Sequence, residues 1–274
     1  MFYTPLPLYY MSKLKLESIL KDLVYSLKDL IVNNPEFKTK LINIEGLDAS
    51  GKHTQTSLLY KILNDNYMKT KLFEFPNYTS STQDMLLLKD MLSGKFGSMS
   101  TIHPTIKIAC YAVDRYNLKY EIIKAMSYEG YNKFIIFDRY NLSNVYNILD
   151  DDRERYFKHF MDVEFNVLGM PVPDVVFYLN SSIGFIKHNL IERKKRNGTL
   201  DEYEADLDFQ KLIRERYKAC FDYIENNETP YSAHGTQTFI IPGYIKLNGR
   251  RRQLSKLTIL ILILQKLVLY ASTL

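Results

Sequence analysis

Short apolar segments alternate with longer segments of helical periodicity over most of the chain. Five segments of four to six residues are mostly apolar, at residues 40–45, 71–75, 133–137, 174–179 and 238–241. Parallel strands that are buried on both faces have this composition. The intervening segments, near residues 51–67, 82–128, 152–168 and 182–228, have the length and the apolar spacing of helices. This order predicts an α/β fold with a five-stranded parallel sheet flanked by helices.

Both ends of the chain lie outside this alternation. Apolar residues recur at helical spacing between Leu14 and Ile31, which predicts a helix over residues 12–32 in an N-terminal extension, residues 1–38. The extension lacks the unbroken apolar core of a signal peptide and the arginines of a mitochondrial presequence. Near the other end, the apolar run 257–264 is followed by Lys266. This run is shorter than the roughly 20 residues of a spanning helix, so it predicts a buried closing helix or strand, with a tail anchor as the alternative.

The composition is that of a folded protein of the reducing cytoplasm. Apolar residues make up 46% of the 274 residues, enough for a core, and no proline-, serine- or glycine-rich linker divides residues 39–270, which are predicted to be one domain. The two cysteines, Cys110 and Cys220, are too few for a disulfide framework. The net charge of +5 is too small to indicate nucleic-acid binding but suits a small anionic ligand.

The first chemical signal is a glycine-rich segment between the first predicted strand and the first predicted helix. Gly46 is followed after four residues by Gly51 and Lys52, the spacing of a phosphate-binding loop, or P-loop. Its backbone N–H groups and the next helix N-terminus surround a phosphate; the alternative is a plain turn with a solvated lysine. His53 replaces the Ser or Thr that normally coordinates Mg²⁺, and imidazole suits that hard ion poorly. The residues predicted to hold the ATP phosphates are Gly46, Asp48, Ala49, Ser50, Gly51, Lys52, His53 and Thr54.

The second signal is the pair Asp138 and Arg139, which directly follows the third predicted strand. In open α/β sheets, ligands bind beyond the carboxyl ends of the strands, where these side chains would emerge. Next to a bound triphosphate, an aspartate can hold Mg²⁺ and an arginine can hold a phosphate. The pair therefore predicts a metal ligand at Asp138 and a phosphate ligand at Arg139, and a surface ion pair is the alternative.

The third signal is a basic run, residues 192–196, that ends near Gly198. Such runs are usually solvated helix faces, and some are nuclear-import or nucleic-acid patches. In a protein with a phosphate loop, a mobile basic segment can instead close over the transferring phosphate and neutralise its charge. We therefore predict a lid near residues 192–204.

In this order, these segments resemble the thymidylate kinase family over about residues 40–245. The residues of these motifs are most similar to those of the bacterial-type branch, in which the lid carries the basic residues and the loop has no arginine at the position of Ala49. This resemblance implies the P-loop, nucleoside-monophosphate kinase architecture. Further segments that agree with it are Phe75–Tyr78, Leu92–Gly97, Tyr111–Arg115, Asp138–Asn144, Leu168–Asp174 and Tyr203–Glu204.

The resemblance also implies the residues that bind the acceptor. Tyr111 would stack on thymine, Arg115 would donate to a base carbonyl, and Asn144 would pair with the imide. Asp48 would meet the 3′-hydroxyl of the deoxyribose, and Tyr78 and Arg139 would hold the phosphate. The full set implied for dTMP is Asp48, Phe75, Tyr78, Tyr111, Arg115, Arg139, Ser143, Asn144 and Tyr203.

The catalytic roles implied by the resemblance belong to Lys52, Arg139, Arg193 and Arg196, with Lys194 and Lys195 as alternative lid donors. Two positions depart from the family pattern: Asn77 stands where many relatives have arginine, and Asn147 replaces a larger side chain near the sugar.

Together with the motifs, the resemblance implies a cytoplasmic homodimer that transfers a phosphoryl group from ATP to dTMP with Mg²⁺, without nucleic-acid or membrane partners. Two alternatives stay open: a kinase for another nucleoside monophosphate or a deoxynucleoside, and a catalytically silent nucleotide-binding protein. The residues argue against GTPase function, because the segment at Asn132 and Lys133 lacks the aspartate of a guanine-binding motif.

Overall fold

A five-stranded parallel sheet forms the centre of the computed structural model, which describes residues 4–77, 86–127, 132–197, 206–247 and 250–274. The strand order is β2-β3-β1-β4-β5. In the middle, Ile42 of β1 lies in register with Ile136 of β3 on one side and Val175 of β4 on the other. The predicted fold class and all five predicted strands are confirmed. Their bounds are β1 Lys40–Gly46, β2 Thr70–Glu74, β3 Phe134–Asp138, β4 Val175–Asn180 and β5 Gln237–Pro242.

Helices cover both faces of the sheet, and each helical segment predicted between strands contains at least one of them. Within the described residues, the segment 82–128 contains three α-helices and the segment 182–228 contains two. The segment 152–168 is an α-helix that passes directly into a π-helical turn at Asp162–Val167. A 3₁₀ helix, Asn141–Asn147, follows β3. The α-helices are α1 Pro5–Tyr10, α2 Lys13–Val32, α3 Lys52–Asp65, α4 Leu86–Leu92, α5 Pro104–Asn117, α6 Lys119–Met126, α7 Arg153–Met161, α8 Ile183–Asn197, α9 Leu207–Asn226, α10 Pro230–His234 and α11 Lys256–Ala271.

The two faces of the sheet have separate hydrophobic cores. One core joins alternate strand residues such as Ile42 and Phe177 to α2, α3 and α11. The other joins residues of opposite orientation, such as Phe137 and Tyr178, to the 3₁₀ helix, α7 and α9. The alternation follows from the pleat of the strands, in which successive side chains point to opposite faces.

The apolar tail is the buried helix α11, so the predicted buried closing element is confirmed and is helical. Ile261, Ile263 and Leu264 are fully buried, and α11 packs against α2 of the N-terminal extension. The helix predicted at residues 12–32 is confirmed as α2, with the Ser12 hydroxyl accepting from the Lys15 N–H at its start. Among the described residues, no helix combines the length and the apolar character needed to cross a membrane.

An antiparallel hairpin between β5 and α11 was not predicted. Its strands are β6, Tyr244–Leu247, and β7, Arg250–Gln253. The second strand contains three consecutive arginines, residues 250–252. The first strand has only four residues and the second is entirely polar, so the sequence pattern did not identify this hairpin.

Candidate active site

The candidate site lies at the carboxyl edge of the sheet, where the chain order reverses. The strands β3 and β4 flank β1 on opposite sides, so the loops that follow β1 and β3 open into one crevice. This is the position at which open α/β sheets bind ligands. The predicted phosphate loop and the pair Asp138 and Arg139 therefore face one another.

The phosphate loop joins β1 to α3 in a conformation that requires glycine. Gly46 has φ +155°, and a Cβ there would lie 2.8 Å from the Ser50 Oγ and 3.0 Å from the Leu179 carbonyl. Gly51, at φ +98°, is the residue before α3. Two side chains hold the loop from outside: the Ser181 hydroxyl donates to the Ser50 carbonyl at 2.9 Å, and the Asn189 amide donates to the Ala49 carbonyl at 2.9 Å.

Lys52 lies inside this loop. Its Nζ donates to the carbonyls of Gly46 at 2.8 Å and Leu47 at 2.6 Å, and the side chain is buried. Burial, reinforced by the charge of Arg139, lowers the pKa of Lys52 to about 7, although nearby carboxylates oppose this. The charged form of Lys52 is therefore destabilised at this position, and an anionic ligand would stabilise it.

Three groups that could bind a cation converge beside Lys52. His53 Nδ1 lies 3.3 Å from the Glu74 Oε1 and 3.4 Å from the Asp138 Oδ2. One potential ligand atom from each of these residues falls within 4.8 Å of the others. The hydroxyl that reaches this group belongs to Thr56, which donates to the Asp138 Oδ2 at 3.2 Å. Sequence reasoning selected Thr54 and missed both Thr56 and Glu74, since neither stands within the loop motif.

Arg139 has a left-handed backbone, φ +65°, and its guanidinium pairs with the Asp48 carboxylate. Burial raises the pKa of Asp48, but the charge of Arg139, helped by Lys52, outweighs this and holds it below its ordinary value. The Asp48 N–H donates to the Tyr146 hydroxyl at 3.0 Å, and the guanidinium lies over the Tyr146 ring at 5.7 Å. The predicted phosphate ligand Arg139 is thus held at the mouth of the loop.

A cavity of about 290 Å³ opens next to Arg139 and Asp48. It has the size of a small-molecule site and an apolar lining with a few polar groups. Asn147, which departs from the family pattern, also lines it. The predicted acceptor-binding residues that the structure brings together around this cavity are Asp48, Phe75, Tyr111, Arg115, Arg139, Ser143 and Asn144.

The guanidinium of Arg115 is bound to a buried carboxylate that the sequence did not predict. Its Nε lies 2.8 Å and 2.9 Å from the two carboxylate oxygens of Glu164, and its Nη2 also donates to Oε1. The Asn144 amide donates to the same oxygen at 3.4 Å. Burial raises the pKa of Glu164, and the charge of Arg115 opposes that rise. Because Glu164 lies in the π-helical turn, 49 residues from Arg115, no local sequence motif identifies it as the partner of Arg115.

A second buried carboxylate, Glu45 at the end of β1, fixes the segment after β3. It accepts from the Tyr140 N–H, the Ser143 hydroxyl and the Tyr217 hydroxyl, each at 2.8 Å. Ser143 therefore lines the cavity with its hydroxyl directed to Glu45. The segment after β2 is held similarly, since the Asn77 N–H donates to the Asp114 carboxylate at 3.1 Å.

The predicted lid is described only in part. Arg193 lies on α8, one turn beyond Asn189, and is not among the residues that line the cavity. Tyr78, Tyr203 and the side chain of Arg196 lie outside the described residues. A basic side chain that the sequence did not select is Arg214 of α9, which donates to the Ser181 carbonyl behind the phosphate loop.

Comparisons with known proteins show the family of the chain. A sequence model of the thymidylate kinase family matches residues 44–233. The chain is 30% identical to a thymidylate kinase of Plasmodium falciparum over 182 residues, covering 66% of this chain and 77% of that protein. It is also 30% identical to a probable thymidylate kinase of Pyrococcus horikoshii, covering 64% and 80%. A solved thymidylate kinase structure from Candida albicans has 24% identity and a TM-score of 0.47, covering 75% of this chain and 85% of that one.

The resemblance that the motifs indicated is thereby confirmed: the chain belongs to the thymidylate kinase family, the ATP-dependent kinases that convert dTMP to dTDP.

Proposed function

We propose that the cavity binds dTMP and that the loop 46–51 binds ATP, so that the γ-phosphoryl group passes directly between them. The observation that carries this proposal is the continuity of the two sites. Asp48 of the loop and Arg139 after β3 both line the cavity, so an acceptor phosphate beside Arg139 would face the loop. An acceptor phosphate oxygen attacks the γ-phosphorus, the bond to the β-phosphate oxygen breaks, and ADP leaves.

On the acceptor side, each proposed contact has a residue in the cavity wall. Tyr111 is half-buried and offers its ring to the base. Arg115, held by Glu164, and Asn144 supply the polar groups that would distinguish thymine. Phe75 packs against Phe137 and Tyr140 and closes the apolar side. Tyr78 and Tyr203 remain proposed ligands of dTMP from the family resemblance.

On the donor side, the loop N–H groups, Lys52 and the lid arginines are the proposed phosphate ligands. Phosphate charges would stabilise the Lys52 ammonium, whose pKa is low in the free protein. Arg193 and Arg196 are proposed to cover the transferring group and to neutralise its charge. Positioning and charge stabilisation of this kind account for most catalysis of phosphoryl transfer.

The proposed cofactor is Mg²⁺ bound with ATP. The carboxylate oxygens of Asp138 and Glu74 fit this ion, which prefers oxygen ligands, whereas the His53 nitrogen fits it poorly. Asp138 and Glu74 would hold the ion, which would supply positive charge to offset that of the donor phosphates. Thr56 orients Asp138 through its hydroxyl for this role.

We also propose a homodimer that pairs through α5 and α6. Exposed apolar residues follow one another along these helices at intervals of three and four residues, the spacing of a helix-pairing seam. Two such stripes would bury each other. Relatives in the thymidylate kinase family also pair through helices. The seam residues are Ile106, Ala109, Val113, Tyr116, Tyr120 and Ile123.

The proposed location is the cytoplasm. Both cysteine thiols are buried and form no disulfide, which suits a reducing compartment.

ADP release with Mg·ATP, measured over dTMP, dUMP, CMP, AMP and thymidine, tests the proposed reaction. We expect dTMP to be the best acceptor. A preference for thymidine would indicate a deoxynucleoside kinase. Tight ATP binding without ADP release for any acceptor would indicate a silent nucleotide-binding protein.

The Lys52→Ala variant tests the donor site. Removing a charge that contacts the transferring phosphates should lower kcat by about a thousandfold. Lys61→Ala is the matched control, because Lys61 lies on the same helix, is exposed, and pairs only with the exposed Asp65 among the ion pairs described. Near-normal turnover of folded Lys52→Ala, checked by circular dichroism, would refute the loop assignment.

A further inference from the structure

His53 occupies the loop position at which a hydroxyl normally coordinates the metal of P-loop kinases, and it is not isolated there. Its Nδ1 points between two carboxylates, 3.3 Å from Glu74 and 3.4 Å from Asp138. The imidazole is largely exposed, with 73% of the side chain accessible, so its orientation toward the two acids is not forced by packing.

Three elements of the fold bring these groups together. Glu74 and Asp138 are the last residues of β2 and β3, and they lie opposite one another in the parallel register. His53 comes from the first turn of α3. Two carboxylates side by side at a sheet edge repel each other, and a cation between them removes that repulsion.

The distances from His53 to the two carboxylates match those between ligands of one metal ion. Nitrogen and oxygen ligands of Zn²⁺ lie about 2.0–2.2 Å from the metal. At angles between 90° and the tetrahedral value, two such ligands are about 3.0–3.4 Å apart. The two observed N···O distances are in or at the edge of this range, so His53 and either carboxylate could bind one metal ion with little movement. The three candidate ligand atoms all lie within 4.8 Å of one another, so the second carboxylate is close enough to join them. The hydroxyl of Thr56, bonded to Asp138, fixes that carboxylate from behind.

We propose that His53, Glu74 and Asp138 form a binding site for a divalent transition-metal ion of the Co²⁺ or Zn²⁺ type. One nitrogen and two oxygen ligands favour these ions over Mg²⁺, which prefers oxygen and keeps its waters. The site is formed by the protein alone and therefore binds such an ion without nucleotide. In phosphoryl transfer, an ion at this site would replace a metal ion that is held mainly by phosphate oxygens of the nucleotide. That role rests on the proposed function.

Binding of Co²⁺ to the nucleotide-free protein tests this site directly. We expect one Co²⁺ per chain by equilibrium dialysis, visible d–d absorption bands, and weaker binding of Mg²⁺. His53→Thr, which restores the hydroxyl of the loop pattern, should weaken Co²⁺ binding by about tenfold or more and remove the shift that a nitrogen ligand gives the bands. Glu74→Gln should also weaken it. His188→Ala, at an exposed histidine of α8, is the matched control and should bind Co²⁺ as the wild type does.

The outcome is separable from the fate of the proposed reaction, because ADP release with Mg·ATP and dTMP is measured on the same preparations. If Co²⁺ fails to bind stoichiometrically, or binds equally to His53→Thr, the imidazole only bridges the two carboxylates and the metal inference is wrong, whatever the kinase activity. If Co²⁺ binds as expected to an inactive protein, the metal site stands and the proposed reaction fails.

Discussion

At the scale of single residues, Arg115 is held in place by its hydrogen bonds to Glu164. Its guanidinium and the Glu164 carboxylate form a bidentate pair in which both side chains are almost completely buried. A buried pair of this kind adds little net stability but strongly penalises the loss of one partner. Its contribution here is geometric, since it fixes the direction from which Arg115 would meet the base.

The specificity of the cavity should therefore depend on Arg115. For Arg115→Ala we expect kcat/KM for dTMP to fall by the equivalent of about 1–3 kcal/mol, with a smaller fall for CMP and AMP. The reason is that a hydrogen bond to a thymine carbonyl is lost, whereas adenine has no carbonyl and cytosine has only one of the two that thymine has. Steady-state kinetics on the three substrates measures the difference. Equal losses for all three would mean that Arg115 is structural and that the thymine assignment is wrong.

A control is needed because Arg115→Ala also leaves Glu164 buried without its partner, which can cost about 3–5 kcal/mol of stability. The double variant Arg115→Met, Glu164→Gln removes both charges. It should recover much of the lost melting temperature and keep the defect in dTMP selectivity. Recovery of selectivity together with stability would show that the kinetic defect came from misfolding.

How far the site could be predicted depends on how local each contact is. The phosphate loop is encoded in a few consecutive residues, and so is the pair Asp138 and Arg139. The sequence alone therefore identified both. Glu164 and Glu74 approach the site only through the fold, from a π-helical turn and from the end of β2. Lys52 was predicted as a phosphate ligand, and the structure shows its side chain buried against loop carbonyls. A carbonyl partner five or six residues away leaves no side-chain signal in the sequence.

At the scale of elements, periodicity predicted the sheet well because its central strands are buried on both faces. Residues of β3 are buried without exception, and apolar runs of this type leave few alternatives. The junction between α5 and α6 was not predicted. Leu118 alone separates the two helices, and the apolar spacing continues across it. Because the spacing continues, the exposed seam extends along both α5 and α6.

The seam predicts that Val113→Glu weakens the dimer. Val113 lies in the middle of the stripe and is exposed in the single chain, so a second copy would bury a charge there without a partner. We expect the dimer dissociation constant to rise by about tenfold or more, measured by sedimentation velocity over a range of concentrations. Val32→Glu, at an exposed valine of α2, is the matched control and should leave the constant unchanged. A monomeric wild type, or a Val113→Glu variant that dimerises normally, would contradict the proposed interface.

At the scale of the whole molecule, the N-terminal and C-terminal helices form part of the core on one face of the sheet. The helix α2 buries Leu16, Ile19 and Leu27 in the same cluster as α11 and the strand residues Ile42 and Phe177. The cavity opens on the other side, where Phe75 and Tyr140 belong to the second core. Periodicity predicted α2 as a helix, but its partners were invisible to the sequence, since α11 lies more than 200 residues away.

We therefore predict that α2 stabilises the kinase domain without contributing to its chemistry. Leu27 is fully buried, so Leu27→Ala should lower the free energy of unfolding by about 2–5 kcal/mol through lost burial and the cavity it leaves. Leu14→Ala is the matched control, because Leu14 lies on the same helix and is 80% exposed, and its effect should stay within about 0.5 kcal/mol. Urea denaturation measures both, and kcat/KM for dTMP, taken well below the melting temperature, should be the same for the two variants. If Leu27→Ala were as stable as Leu14→Ala, residues 1–38 would be an appended segment with no part in the core. If it lost activity while folded, the separation between the two faces of the sheet would be wrong.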